Sequence, residues 1–169
     1  MMKFAGALFA TWMAATPASA GWVYDVEEGV FSGTIHFILA DSDGFGLLLR
    51  CKRNSDLVET VFVVTDRSID GMDYEQLNAA GPTLQLKIDD LPVISPAAEL
   101  FDMGGDGAAD AVTDKETLRA LQEATDRVTV SIRVAGRNYY KQSFDLIGSA
   151  EPIGQMMSAC GIRKRNPLT

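Results

Sequence analysis

An antiparallel, mainly β, sandwich-like domain is the expected fold. It carries two or three short helices, and a disulfide ties its C-terminal helix to the sheet. Three observations point there. Two segments, "TLQLKIDD" and "VTVSIRVA", alternate apolar and polar residues with the period of a half-buried strand. Two apolar runs flank Asp41-Ser42-Asp43-Gly44, and Asp-Gly is a strong hairpin signal. Near the C-terminus, Ile153, Met156, Met157 and Cys160 fall at helical spacing on one face, so the last helix points a cysteine inward.

The elements follow in order. "GVFSGTIHFILADSDGFGLLLRCKRN" reads as a hairpin, and "LVETVFVVTD" as a third strand rich in β-branched residues. "DYEQLNAAG" is a short helix with Asp73 as N-cap and Gly81 as its stop. In "TLQLKIDD", Leu84, Leu86 and Ile88 point one way and Gln85 and Lys87 the other. The proline- and glycine-rich segment 92–113 reads as a long loop. Thr113 and Glu116 then form a capping box for a second helix, on which Leu118 and Leu121 share a side. "VTVSIRVA" turns at Gly136-Arg137-Asn138 and returns as "YYKQSFDL", with Tyr140, Phe144 and Leu146 on one face. Gly148 ends that strand, Ser149 caps the last helix, and Pro152 is tolerated in its first turn. A short helix followed by an alternating strand occurs twice, a weak internal echo.

The first 20 residues stand apart. One charge, Lys3, precedes an apolar run from Phe4 to Ala15 and the small-x-small triplet Ala18-Ser19-Ala20. The run is too short to span a bilayer and lacks stop-transfer flanks, so residues 1–20 read as a cleaved signal peptide rather than an anchor. The expectation is one β-rich periplasmic or secreted domain over 21–169, with no transmembrane segment in the mature chain. Removing Lys3 from the 15 basic residues leaves 14 against 23 acidic, a net charge of −9. Phosphate repels such a chain, which argues against nucleic acid as a partner.

Cys51 and Cys160 are the whole cysteine inventory. In an exported chain two cysteines read as one disulfide. The alternatives are two free buried thiols or a zinc site, and zinc lacks partners because His36 is the only histidine. The methionine stripe beside Cys160 reads as core packing rather than a copper or partner site.

The layout resembles a group of small exported proteobacterial proteins. The features that carry the likeness are Trp22 near the mature start, a cysteine after a strand in "LLLRC", and "FDLIGSAEPIGQMMSAC" at the end. The invasion-associated locus B family and the VasI-type accessory proteins of type VI secretion share this character. The resemblance implies a β-rich envelope protein and brings no catalytic residue or substrate.

Candidate chemistry is sparse. The single His36 sits between Ile35 and Phe37 and reads as a sheet-face or core residue, so a histidine base for a nucleophile is missing. No Ser-x-x-Lys spacing, phosphate loop or dinucleotide fingerprint occurs, and no cofactor is expected. Asp102, Asp106, Asp110 and Asp114 recur every four residues and match a calcium loop in part, but Gly104 and Thr113 stand where ligands belong. The plainer reading is a solvated acidic loop. Basic residues follow both cysteines. If these pair, Arg50, Lys52, Arg53, Arg163, Lys164 and Arg165 converge, with the acidic segment elsewhere. That arrangement is either ordinary solubilising charge or a patch for docking an acidic envelope protein or anionic surface. The leading reading is a non-enzymatic periplasmic interaction or accessory protein. The alternative is a calcium- or ligand-binding module built on residues 102–114.

Overall fold

The computed structural model describes residues 21–29, 33–52, 57–65 and 73–162. The proposed signal peptide, Arg53 and the basic run from Arg163 lie outside them. Nine strands and three helices are described: β1 (Val23–Gly29), β2 (Gly33–Ser42), β3 (Phe45–Lys52), β4 (Val58–Val64), α1 (Tyr74–Ala79), β5 (Thr83–Ile88), β6 (Ala98–Met103), β7 (Asp106–Thr113), α2 (Lys115–Glu123), β8 (Arg127–Val134), β9 (Arg137–Asp145) and α3 (Ala150–Ala159). The fold is mainly β, as expected. All pairings are antiparallel, in a six-stranded sheet ordered β1-β2-β3-β4-β7-β6 and a three-stranded sheet ordered β5-β8-β9.

Alternation places the core between the sheets. Ile38, Leu47, Leu49 and Phe62 from the larger sheet share it with Leu84, Leu86, Ile88, Val130 and Phe144 from the smaller one. Phe62 stacks on Phe45 at 5.7 Å between ring centroids and meets Phe144 edge-on at 6.4 Å, so one aromatic column joins the two sheets. The β2–β3 turn places Asp43 and Gly44 at φ 50° and 78°, the left-handed pair that a two-residue hairpin requires.

Segment 92–113 is not a loop. Leu86 and Ile94 exchange backbone hydrogen bonds along the edge of β5, and the chain then forms the β6–β7 hairpin through Gly104-Gly105. The alanines of β7 are poor strand formers in isolation. They pair because the larger sheet has a slot between β4 and β6, where Ala109 sits in register between Phe62 and Leu100. β1 is a further strand, absent from the sequence reading. Its acidic residues, Asp25, Glu27 and Glu28, suit an exposed edge. The opposite edge is covered differently: the Asn78 amide of α1 donates to the Leu100 carbonyl and accepts from the Leu100 N–H.

The caps also differ from expectation. Asp114, not Thr113, caps α2, accepting from the Thr117 N–H at 2.8 Å. Ser149 makes no side-chain cap; its hydroxyl donates to the Leu146 carbonyl. The β8–β9 turn is centred on Ala135-Gly136, and Arg137 already belongs to β9. Tyr140 lies at a left-handed φ of 50° beside the β8–β9 register shift, and it is Phe144 and Leu146 that are buried.

Asp89 anchors the other end of the smaller sheet. Its carboxylate accepts from the N–H groups of Thr125, Asp126 and Arg127, which hold its pKa below the usual carboxylate value. Asp114 is lowered likewise, by Thr117. A carboxylate with a depressed folded pKa stabilises above its unfolded pKa, about 4, and that contribution is lost as pH falls through the folded value. Thermal melts from pH 6 to 2 will therefore show an acid-side loss, and Asp89→Asn will lower the neutral melting temperature and flatten that slope. An unchanged profile would mean these bonds add nothing to the pH dependence.

Candidate interaction surface

α3 carries Ile153, Met156, Met157 and Cys160 into the core, all at 2 % exposure or less. Cys160 is bonded to Cys51 of β3, with 6.3 Å between Cα atoms and a sequence separation of 109. The disulfide therefore joins the C-terminal helix to the larger sheet, as the cysteine count suggested.

Because strand neighbours point to opposite faces, Cys51 faces inward while Arg50 and Lys52 face outward. Arg50 is not a free cation. Its Nε donates to Glu59 at 2.5 Å and its Nη2 to Asp110 at 3.1 Å. Arg50 stands on β3 and Asp110 on β7, so the guanidinium crosses β4, where Val61 is 1 % exposed. The expected separation of basic and acidic segments thus fails at Asp110. Lys52 is exposed. Of the candidate patch, Arg53, Arg163, Lys164 and Arg165 lie outside the described residues.

The four acidic candidates have separate tasks. Asp102 accepts from the Gly105 N–H within its own turn, Asp114 caps α2, Asp110 meets Arg50, and Asp106 opens β7 opposite Met103. Among the described residues, no three His, Cys, Asp or Glu side chains gather where they could hold a metal ion. Burial raises the Asp110 pKa, Arg50 opposes that, and the nearby Glu59 adds to it. Asp110 Oδ1 is buried with no hydrogen-bond partner among the described residues. His36 is an inward residue, 8 % exposed, with its Nδ1 2.9 Å from the Tyr24 hydroxyl.

The outward face of the larger sheet is the feature the sequence reading missed. One cross-strand row runs Val23, Leu39, Leu48, Val61, Asp110, Glu99 from β1 to β6. The next runs Asp25, Phe37, Arg50, Glu59, Val112. Val23 is 58 % exposed, Leu39 41 % and Val112 52 %. Leu39 and Val63 close over Gly46, the position where a side chain would meet both. The outward face of the smaller sheet is ordinary by contrast: Thr83, Gln85, Lys87, Thr129, Ser131 and Arg133 cover it with polar groups. A signal was available. "FILA", "LLL" and "VFVV" are apolar at consecutive positions, which in an antiparallel strand places apolar side chains on both faces.

No family model and no curated protein matches this chain. A solved structure does. The crystal structure of invasion associated protein B from Bartonella henselae aligns with a TM-score of 0.56, over 83 % of this chain and 94 % of that one, at 12 % identity. The two chains share a fold. The resemblance to the invasion-associated locus B family therefore holds at the level of architecture. Among the described residues, no helix is long and apolar enough to cross a membrane.

Proposed function

We propose that the chain is an exported, disulfide-braced binding module. It acts without catalysis, docking the outward face of its larger sheet onto another protein of the cell envelope. The observation that carries this is the concentration of exposed Val23, Leu39 and Val112 on one sheet face while the other sheet's outside is polar. A shared fold with a protein named for invasion agrees with a surface-acting role. The disulfide fits an oxidising compartment, periplasmic or extracellular. Calcium binding by residues 102–114 has less support, since Asp110 and Asp114 are already engaged.

A second docking site has its own observation. The Cys51–Cys160 bond brings the roots of the two basic runs within 6.3 Å, so Lys52, Arg53, Arg163, Lys164 and Arg165 can form a patch for an acidic partner.

Photo-crosslinking in the producing cell tests the main reading. A benzophenone side chain at Leu39 or Val112 is expected to give a discrete adduct, and one at Thr129 on the smaller sheet is not. Equal labelling from both sheets, or none from Leu39 and Val112, would remove the proposal.

A further inference from the structure

Resting on that reading, we propose that the occupant of this face is a protein surface with an apolar ridge flanked by lysine or arginine. The ridge seats on Val23, Leu39 and Leu48, and its cations meet Glu59, Glu99 and Asp110.

The row from Val23 to Glu99 supplies the geometry. It is apolar over β1–β3 and acidic at β7 and β6, where Glu99 pairs in register with Asp110. Three carboxylates, Glu59, Asp110 and Glu99, have one guanidinium between them, that of Arg50, which bonds the first two. The region therefore keeps excess negative charge at the border of an apolar patch. The Asp110 side chain remains 27 % exposed at this border, so its carboxylate can be approached from outside. Desolvation, with the charges of Glu59 and Glu99, outweighs Arg50 at this carboxylate and raises its pKa, so its ionised form costs stability in the free chain. An incoming cation would relieve that cost only in the complex. A group kept against stability is the kind that binding retains.

The same charges select against other occupants. Asp25, Glu27 and Glu28 line the β1 edge, and Glu99, Asp102 and Asp106 mark the opposite side. A second copy stacked face to face would set acidic edge on acidic edge, with −9 on each mature chain. An anionic lipid surface meets the same repulsion, and Lys52 is the only other described cation on the face.

The experiment uses the oxidised chain from Gly21 and four probes. These are a helical peptide with a leucine stripe flanked by lysines, its counterpart flanked by glutamates, phosphatidylglycerol vesicles, and sedimentation of the chain alone. The lysine peptide is expected to bind, more weakly as salt rises, and the glutamate peptide is not. Leu39→Asp and the double change Glu99→Gln with Asp110→Asn should each weaken lysine-peptide binding at least tenfold. Thermal melts will confirm that both variants fold, and Asp110→Asn alone is expected to melt at or above the parent at pH 7. No binding of the lysine peptide, equal binding of the two peptides, or a double variant that binds like the parent would overturn the proposal. So would a dimer or vesicle binding that Leu39→Asp abolishes, since the occupant would then be a second copy or a membrane. Discrete crosslinks from Leu39 and Val112 to a protein other than this chain, alongside any of the peptide results, would leave the docking reading intact and refute only the basic partner.

Discussion

Replacing Cys160 with serine is expected to lower stability by about 2–5 kcal/mol and to leave a folding transition that is still β in character. The closed loop is long, with a sequence separation of 109 between the cysteines, so the bond removes much of the unfolded chain's freedom; for a loop of that size the chain-entropy model gives roughly 4–5 kcal/mol. α3 keeps its own apolar contacts through Ile153, Met156 and Met157. The variant should therefore keep its fold at low temperature while losing denaturant resistance. Cys51→Ser and the double variant should match it, because each removes the same bond. Urea unfolding followed by circular dichroism gives the comparison. If all three variants unfold at the parent midpoint, the brace contributes nothing.

Phe62→Ala carries the other large effect, a loss of about 3–5 kcal/mol. The ring is fully buried, stacks on Phe45 and meets Phe144 edge-on, so truncation opens a cavity at the junction of the two sheets. Its neighbours in register, Ala109 and Leu47, cannot collapse into the space without moving β3 or β7. Combining it with Phe144→Ala should cost less than the sum of the single changes, by about 0.5–1.5 kcal/mol, the scale of an aromatic pair. Strict additivity would mean the two rings are neighbours without interaction.

What could be read in the sequence followed from local physics. The β2–β3 hairpin, β5, β8 and α3 each carry a period or a turn that admits one reading, and the cysteine pair followed from counting. β7 was hidden because "DGAADAVT" lacks strand propensity and gains its conformation from two neighbours far away in sequence. β1 was hidden by its charges, which mark an edge rather than a loop. The docking face was only half legible. Consecutive apolar residues in β2, β3 and β4 disclose a second apolar side, yet the meeting of Arg50 with Asp110 depends on β7 joining β4 across an intervening helix, strand and hairpin half. Sequence spacing instead made the four aspartates look like one group, and strand pairing and capping disperse them.

Trp22 is the first large side chain after Gly21, and its indole N–H donates to the Asp145 carbonyl, 123 residues away, at 2.6 Å. The chain has two tryptophans, the other being Trp12, so the protein from Gly21 onward holds a single indole fluorophore. That fluorophore sits beside β1 at the end of β9, 8 % exposed, where the two sheets are held to each other. Its emission maximum is thus a built-in optical gauge of the seam. A red shift that precedes the loss of β-sheet ellipticity would time the parting of the sheets separately from the melting of their strands.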